Sequence, residues 1–203
     1  FLSMYDKEAI GRHIVPALTS LLFVGLKDDL MVLDPKKKIL AQVAAITFLI
    51  MHTALIPVDF YGFLGFGEVP LWLGIVFSYF MVLCIINAYN LIDGIDGLAA
   101  LVGLVIFSFF GLVFYKLELY YYASLAVVCT GFLIAFLRYN LSNTNKIFMG
   151  DTGSMIIGFL IGLMTLRFLS IDTAQLAKIN IVPENLFYII LAILFVMLID
   201  TIR

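Results

Sequence analysis

Three short stretches hold the residue types best suited to chemistry. The first is Asp28-Asp29, which closes the apolar run Leu21–Leu26 and is followed by Lys36-Lys37-Lys38. Adjacent carboxylates repel unless a cation sits near them. Alternatively, they are helix-end charges meeting interfacial water. Lys36 and Lys37 suit a simple interfacial anchor, whereas Lys38 opens the next apolar run and can point back at the acidic pair. The second stretch is Asn87–Leu98, NAYNLIDGIDGL, with two amides and two carboxylates at the edge of a greasy segment. The third runs from Arg138 to Ser154 and includes Asn140, Lys146 and the glycine-flanked Asp151.

Helical geometry divides the second stretch. Residues three apart share a face but drift by about 60° per step. Asn87, Asn90 and Asp93 therefore form one polar stripe, and Asp96 joins them only if the helix breaks near Gly94 or Gly97. In the third stretch, Asp151, Thr152 and Ser154 precede an apolar run, which is helix-start chemistry. The free amides of such a start, with Lys146 nearby, also suit phosphate oxygens. At this level, cap and phosphate site are equally good readings.

The inventory selects a hard cation. Several carboxylates and amides suit Mg2+, or Mn2+, held by one or two carboxylates, substrate phosphate and water. His13 and His52 stand apart with no zinc spacing, no Ser or Cys triad is visible, and Cys84 and Cys129 lie inside apolar runs.

These residues need a membrane scaffold to position them. The 203-residue chain is 64% hydrophobic and only 13% charged, with mean hydropathy +1.13. A soluble domain carries about 25% charged residues. A net charge of −2 gives no footprint for nucleic acid. The composition predicts an all-α polytopic membrane bundle of about seven spans, near 14–26, 39–56, 71–89, 98–115, 119–137, 154–170 and 186–199. Alternating loops then place all three polar stretches, with Asp200, on one face. Lys27, Lys36, Lys37, Lys38, Arg138, Lys146 and Arg203 share it, against Lys7, Arg12, Lys116 and Lys178 with Arg167 near the other face, and this seven-to-five excess predicts that the first face is cytoplasmic. Asp59, Glu68, Glu118, Asp172 and Glu184 fall singly on the other face and read as solvated loop charge.

At the level of motifs, Asn87–Leu98, Phe148–Ser154 (FMGDTGS), and Gly25–Asp29 with Lys38 and Gln42 together resemble the polyprenyl-phosphate N-acetylhexosamine-1-phosphate transferases. Their order and spacing match over essentially the whole chain, read as one domain, 1–203. The Asn87–Leu98 motif looks most like the bacterial branch that transfers GlcNAc-1-phosphate to undecaprenyl phosphate at the start of lipopolysaccharide, teichoic acid or related cell-wall polymers. The resemblance implies transfer of a sugar-1-phosphate from a UDP-sugar to a polyprenyl phosphate, with release of UMP, in the bacterial inner membrane. It implies that Asp151 and Asn90 hold Mg2+, that Asp28 and Asp29 activate or position the lipid phosphate, and that Lys38 pairs with phosphate charge. Asp93 and Asp96 shape the nucleotide-sugar pocket, with Asn87, Asn140 and Lys146 as further substrate contacts. A homodimer is compatible with it.

The family also has spans ahead of the first run and a His-rich loop beyond the last, so a segment truncated at both ends is expected. UDP-MurNAc-pentapeptide is the alternative donor, because the shared motifs read diphosphate and metal rather than sugar. An ion-coupled transporter is the rival of another class, but its polar residues interrupt spans near the midplane. A CDP-alcohol phosphotransferase fits Asp93–Ala100 but lacks the later paired aspartates. A catalytically inactive fragment that keeps the fold is a further reading.

Overall fold

Helix α6, Gly150–Leu169, is the axis of the molecule in this computed structural model. Of its apolar window, 78% is buried inside the bundle, against 28–44% for the other five helices long and apolar enough to cross a membrane. The structure describes residues 2–202, with side chains from Ile10 to Asp200. In chain order the long helices are α1 (Leu2–Leu30), α2 (Pro35–Ile50), α3 (Leu71–Ile92), α4 (Leu98–Lys116), α5 (Tyr120–Asn140) and α6, then a short α7 (Thr173–Ala177) and α8 (Leu186–Ile202). There is no strand among the described residues beyond an isolated antiparallel bridge of Asp59 with Glu68.

This is the all-α membrane bundle expected, with six helices of spanning length where seven spans are expected. The difference is α2. It stops at Ile50 after 16 residues, and the chain continues through a 3-10 turn at Thr53–Leu55. A helix of that length rises about 24 Å, short of the hydrocarbon core. α1 is longer than the expected first span, its crossing segment being Ile10–Leu30.

α3 and α1 both pack along α6, α2 lies against α1, α4 and α5 form a hairpin, and α8 covers α3. Close approach is possible because α6 is rich in small residues. A Cβ added at Gly158 would stand 2.8 Å from Ile86 Cα, and one at Gly25 2.5 Å from Thr152 Cα. Both obstacles are backbone, so neither clash can be relieved by a rotamer change. Backbone contact through small residues is how helices associate where lipid offers no hydrophobic drive.

At the end away from Asp151, Phe187 of α8 stacks on Phe60 and Phe63 at centroid separations of 4.9 and 4.7 Å, tying down the 51–70 loop. His13 and His52, isolated in sequence, meet with ring centroids 5.9 Å apart. Cys84 and Cys129 are free thiols.

Gly158→Ala is expected to destabilise the protein by about 1–3 kcal/mol, the usual range for overpacking. Gly131→Ala, which meets nothing within 4 Å, should be neutral or stabilising. Thermal unfolding of both variants in detergent measures the contrast.

Candidate active site

Helix directions bring the C-terminal ends of α1, α3 and α5 and the N-terminal ends of α2, α4 and α6 to the same end of the bundle. The first amides of α6 are the focus. A helix start leaves N–H groups unpaired and carries partial positive charge. Asp29 of α1 answers both: its Oδ1 accepts the Asp151 amide at 2.7 Å and its Oδ2 accepts the Thr152 amide at 3.2 Å and the Thr152 hydroxyl. Asp93, at the C-cap of α3, sits near the Gly150 amide, which opposes the rise of its carboxyl pKa. Gly150 has φ +69°, and a Cβ there would fall 3.0 Å from Asp29 Oδ1, so glycine is needed on both counts. The Asp151 and Thr152 amides are capped by Asp29 of α1, not by Asp151, Thr152 or Ser154 as the local sequence suggests.

The Asp151 side chain is thereby free to face Lys38. The Lys38 ammonium bridges Asp151 and Asp28, lying 3.0 Å from Asp28 Oδ2 and hydrogen-bonded to Asp151 Oδ1. Asp28 is buried, and its other oxygen accepts the Leu33 amide at 2.8 Å, closing the link from α1 to α2. Asn90 donates Nδ2 to Asp151 Oδ1 at 2.7 Å and to Ser154 Oγ at 2.6 Å. Asp28, Asp29, Lys38, Asn90, Asp93 and Asp151 are thus one cluster drawn from four helices.

The remaining expected site residues lie around it. Asn87 pairs with the buried Gln42 through Nδ2 to Oε1 at 2.9 Å and also donates to Leu83 O. It locks α2 to α3 one turn below Asn90. Asn140 is buried, accepts the Gly97 amide at 2.6 Å and donates to Ile147 O at 2.9 Å. Both amides are engaged by the protein itself. The chain turns at Asp93–Gly97, where Gly97 adopts φ +76°, and this carries Asp96 outward. Asp96 is half-exposed and pairs with Lys146, whose ammonium lies 5.2 Å from the Phe148 ring centroid. Asp96 and Lys146 therefore form a separate pair rather than joining the Asp151 cluster.

Ser154 and Gln42 had no partner assigned from sequence. Ser154 shares a turn with Asp151 and Gln42 lies four residues beyond Lys38, so helical spacing was the available signal.

Burial and the nearby Asp151 charge raise the Asp93 carboxyl to about 6, and the Gly150 amide opposes the rise only in part. Four carboxylates (Asp28, Asp29, Asp93 and Asp151) surround one ammonium, so the pocket is strongly anionic. Among the described residues no three His, Cys, Asp or Glu side chains are grouped to hold a metal. A closed protein cage is therefore absent from that set. What the cluster offers is a carboxylate, Asp151, beside the Asn90 amide, whose Nδ2 rather than its oxygen faces Asp151 Oδ1. Both side chains carry hard oxygens of the type Mg2+ takes together with phosphate and water.

Comparison with known proteins decides the family. A model described as glycosyl transferase family 4 matches residues 13–169, more than half of the chain and all of the cluster. The chain belongs to that family. It is 33% identical over 157 residues to a phospho-N-acetylmuramoyl-pentapeptide-transferase of Clostridium beijerinckii, covering 71% of this chain and 48% of that protein. The protein of the same name from Clostridium perfringens is 32% identical over the same shares. That from Caldanaerobacter subterraneus subsp. tengcongensis is 42% identical over 84 residues, 41% of this chain and 26% of the relative. The chain thus spans about half the length of these relatives. Their names match the alternative donor of the sequence reading rather than the GlcNAc-1-phosphate branch.

Two stability effects follow. Asp29→Ala should destabilise the protein by about 1–2 kcal/mol, the range for a lost helix cap, read by thermal melting. Because the fold binds the Asp93 proton more tightly than the unfolded chain does, the protonated group's contribution is complete below its ordinary value of 3.8. It is lost as pH rises through about 6. Asp93→Asn should therefore raise the melting temperature modestly at pH 7.5 and leave it unchanged at pH 3.5.

Proposed function

We propose that the whole protein transfers a phosphosugar from a UDP-linked donor to a polyprenyl phosphate, releasing UMP. The observation that carries this reading is the junction of α1, α2, α3 and α6 at Lys38, Asp28, Asn90 and Asp151 in a chain of glycosyl transferase family 4. An anionic diphosphate entering so acidic a pocket needs a cation with it. Asp151 and Asn90 would hold Mg2+, which would neutralise the donor diphosphate as the bond to UMP breaks.

The chain's own groups supply the rest. Lys38 already spans Asp28 and Asp151, and an ammonium there offsets charge on a phosphate oxygen brought between them. Asp28, held by the Leu33 amide, and Asp29, held by the α6 start, are fixed in position. They orient the lipid phosphate for in-line attack more readily than they act as mobile bases. A phosphate is already mostly ionised near neutral pH, so no strong base is required. Asp93 lines the same pocket from α3. Asp96, Lys146 and Phe148 lie at its edge and suit contacts to the nucleotide-sugar. Asn87 and Asn140 act through the backbone they hold.

For the donor, the names of the relatives favour UDP-MurNAc-pentapeptide. UDP-GlcNAc is the second reading, favoured by the Asn87–Leu98 motif. In either case the pocket is taken to face the cytoplasm, a reading supported by the excess of Lys and Arg on that face.

The test offers the full-length protein both donors with polyprenyl phosphate and follows UMP release with and without Mg2+. Mg2+-dependent UMP from the MurNAc-pentapeptide donor is expected. UMP from UDP-GlcNAc alone would move the assignment to the second reading, and none from any UDP-sugar would overturn the reaction. Asp151→Asn should lower kcat at least about 100-fold without unfolding the protein, the scale of losing a preorganised electrostatic group.

A further inference from the structure

The end of the bundle away from Asp151 contains a second polar centre that the proposed reaction does not use. A cavity of about 410 Å3 opens there, lined by Asp59, Tyr61, Tyr122, Arg167, Ser170 and Asp172 with the backbone around them. Arg167 comes from the last turn of α6, Asp59 from the 51–70 loop and Asp172 from the link to α7. Among the described residues, none of these three charges is in an ion pair. Arg167 donates Nη1 to Ser170 O at 3.2 Å and lies 5.6 Å from the Tyr122 ring centroid, and among the described residues most of its five N–H donors have no other acceptor. Among the same residues Asp59 accepts the Tyr61 amide, at 2.8 Å, and the buried Ser170 Oγ has no hydrogen-bond partner. Arg167 also borders an adjoining cavity of about 330 Å3, with Gln175 and Lys178 and one acid, Glu118.

Charges at helix ends ordinarily reach out to water. Here a guanidinium on the central helix and two carboxylates line one cavity without neutralising each other. Such a wall suits a ligand that carries both signs. A purely anionic head group would meet Asp59 and Asp172, and a purely cationic one would meet Arg167. The cavity lies where the membrane-crossing helices end, at the level of lipid head groups. A primary ammonium can give N–H bonds to two carboxylates, which a quaternary one cannot.

We propose that this end of the bundle binds the phosphoethanolamine head group of an aminophospholipid, with its phosphate on Arg167 and Lys178 and its ammonium on Asp59 and Asp172. The site is independent of the transfer reaction.

The test places the full-length protein in phosphatidylcholine nanodiscs containing phosphatidylethanolamine or phosphatidylglycerol at equal mole fraction. Retained lipid is counted by native mass spectrometry. Phosphatidylethanolamine should be favoured about tenfold over phosphatidylglycerol, as one charge-assisted contact allows. Asp59→Asn with Asp172→Asn should remove that preference while phosphatidylglycerol is still retained, and Arg167→Gln should weaken both. Should the double variant not fold, each single Asp→Asn variant should lose part of the preference. Equal retention of the two lipids, or a preference that survives the carboxylate variants, would overturn the proposal. So would soluble O-phosphoethanolamine binding as tightly as the lipid, which would make the ligand a free zwitterion.

Discussion

The start of α6 is where the structure is held together chemically. Two consecutive amides, at Asp151 and Thr152, are taken by Asp29 on α1, and Asp93 on α3 sits near enough to Gly150 for its carboxyl to feel that amide. Each Asp29 bond does two jobs at once. It satisfies a donor that burial would otherwise leave unpaired, and it sets a negative group at the positive end of a helix dipole. Because both acids belong to other helices, these contacts fix the relative height of α1, α3 and α6. Glycine at 25 and 158 then lets those helices approach until backbone meets backbone. The register of the bundle and the geometry of the polar cluster are therefore one constraint.

That constraint explains why Asp151 is available. A carboxylate at the first turn of a helix would usually fold back on its own amides, and those amides are already occupied. Asp151 instead meets Lys38 and Asn90, while Lys38 reaches across to Asp28. One ammonium holds two acids that would otherwise repel, and the remaining excess of negative charge makes the pocket a receiver of cations before it can receive phosphate. In the proposed reaction, anionic substrate and dication would therefore depend on one another.

Much of this was legible in the sequence, and the rest fails for definable reasons. The all-α membrane bundle follows from runs long enough to cross a bilayer, and the one-sided clustering of Asp28, Lys38, Asn90 and Asp151 follows from counting those runs. The 39–56 run does carry the chain from the site end to the far end, but as a 16-residue helix followed by a 3-10 turn rather than as one helix of spanning length. Hydropathy registers apolar length and is blind to a 3-10 turn. Asp29 as the cap of α6 was invisible because its partners lie 122 and 123 residues away. Locally, Thr152 and Ser154 looked like sufficient caps. Asn87 and Asn140 were legible as unusual but not as structural. An amide suits a substrate and a backbone equally well, and only packing reveals which one it meets.

The turn at Asp93–Gly97 shows how a small backbone event divides labour between chemically identical groups. Asp93 and Asp96 are three residues apart, and a break near Gly94 or Gly97 is the expected means of bringing Asp96 to the stripe; the chain does turn there, but the turn takes Asp96 outward. α3 ends at Ile92, Gly97 takes a left-handed conformation that L side chains rarely adopt, and its amide is anchored by the buried Asn140. Asp93 is left under burial beside the start of α6, with its carboxyl raised to about 6, while Asp96 swings out to Lys146 at the rim. Asn140 thereby affects the pocket without touching it. It holds the loop that decides which aspartate belongs to the cluster and which to its edge.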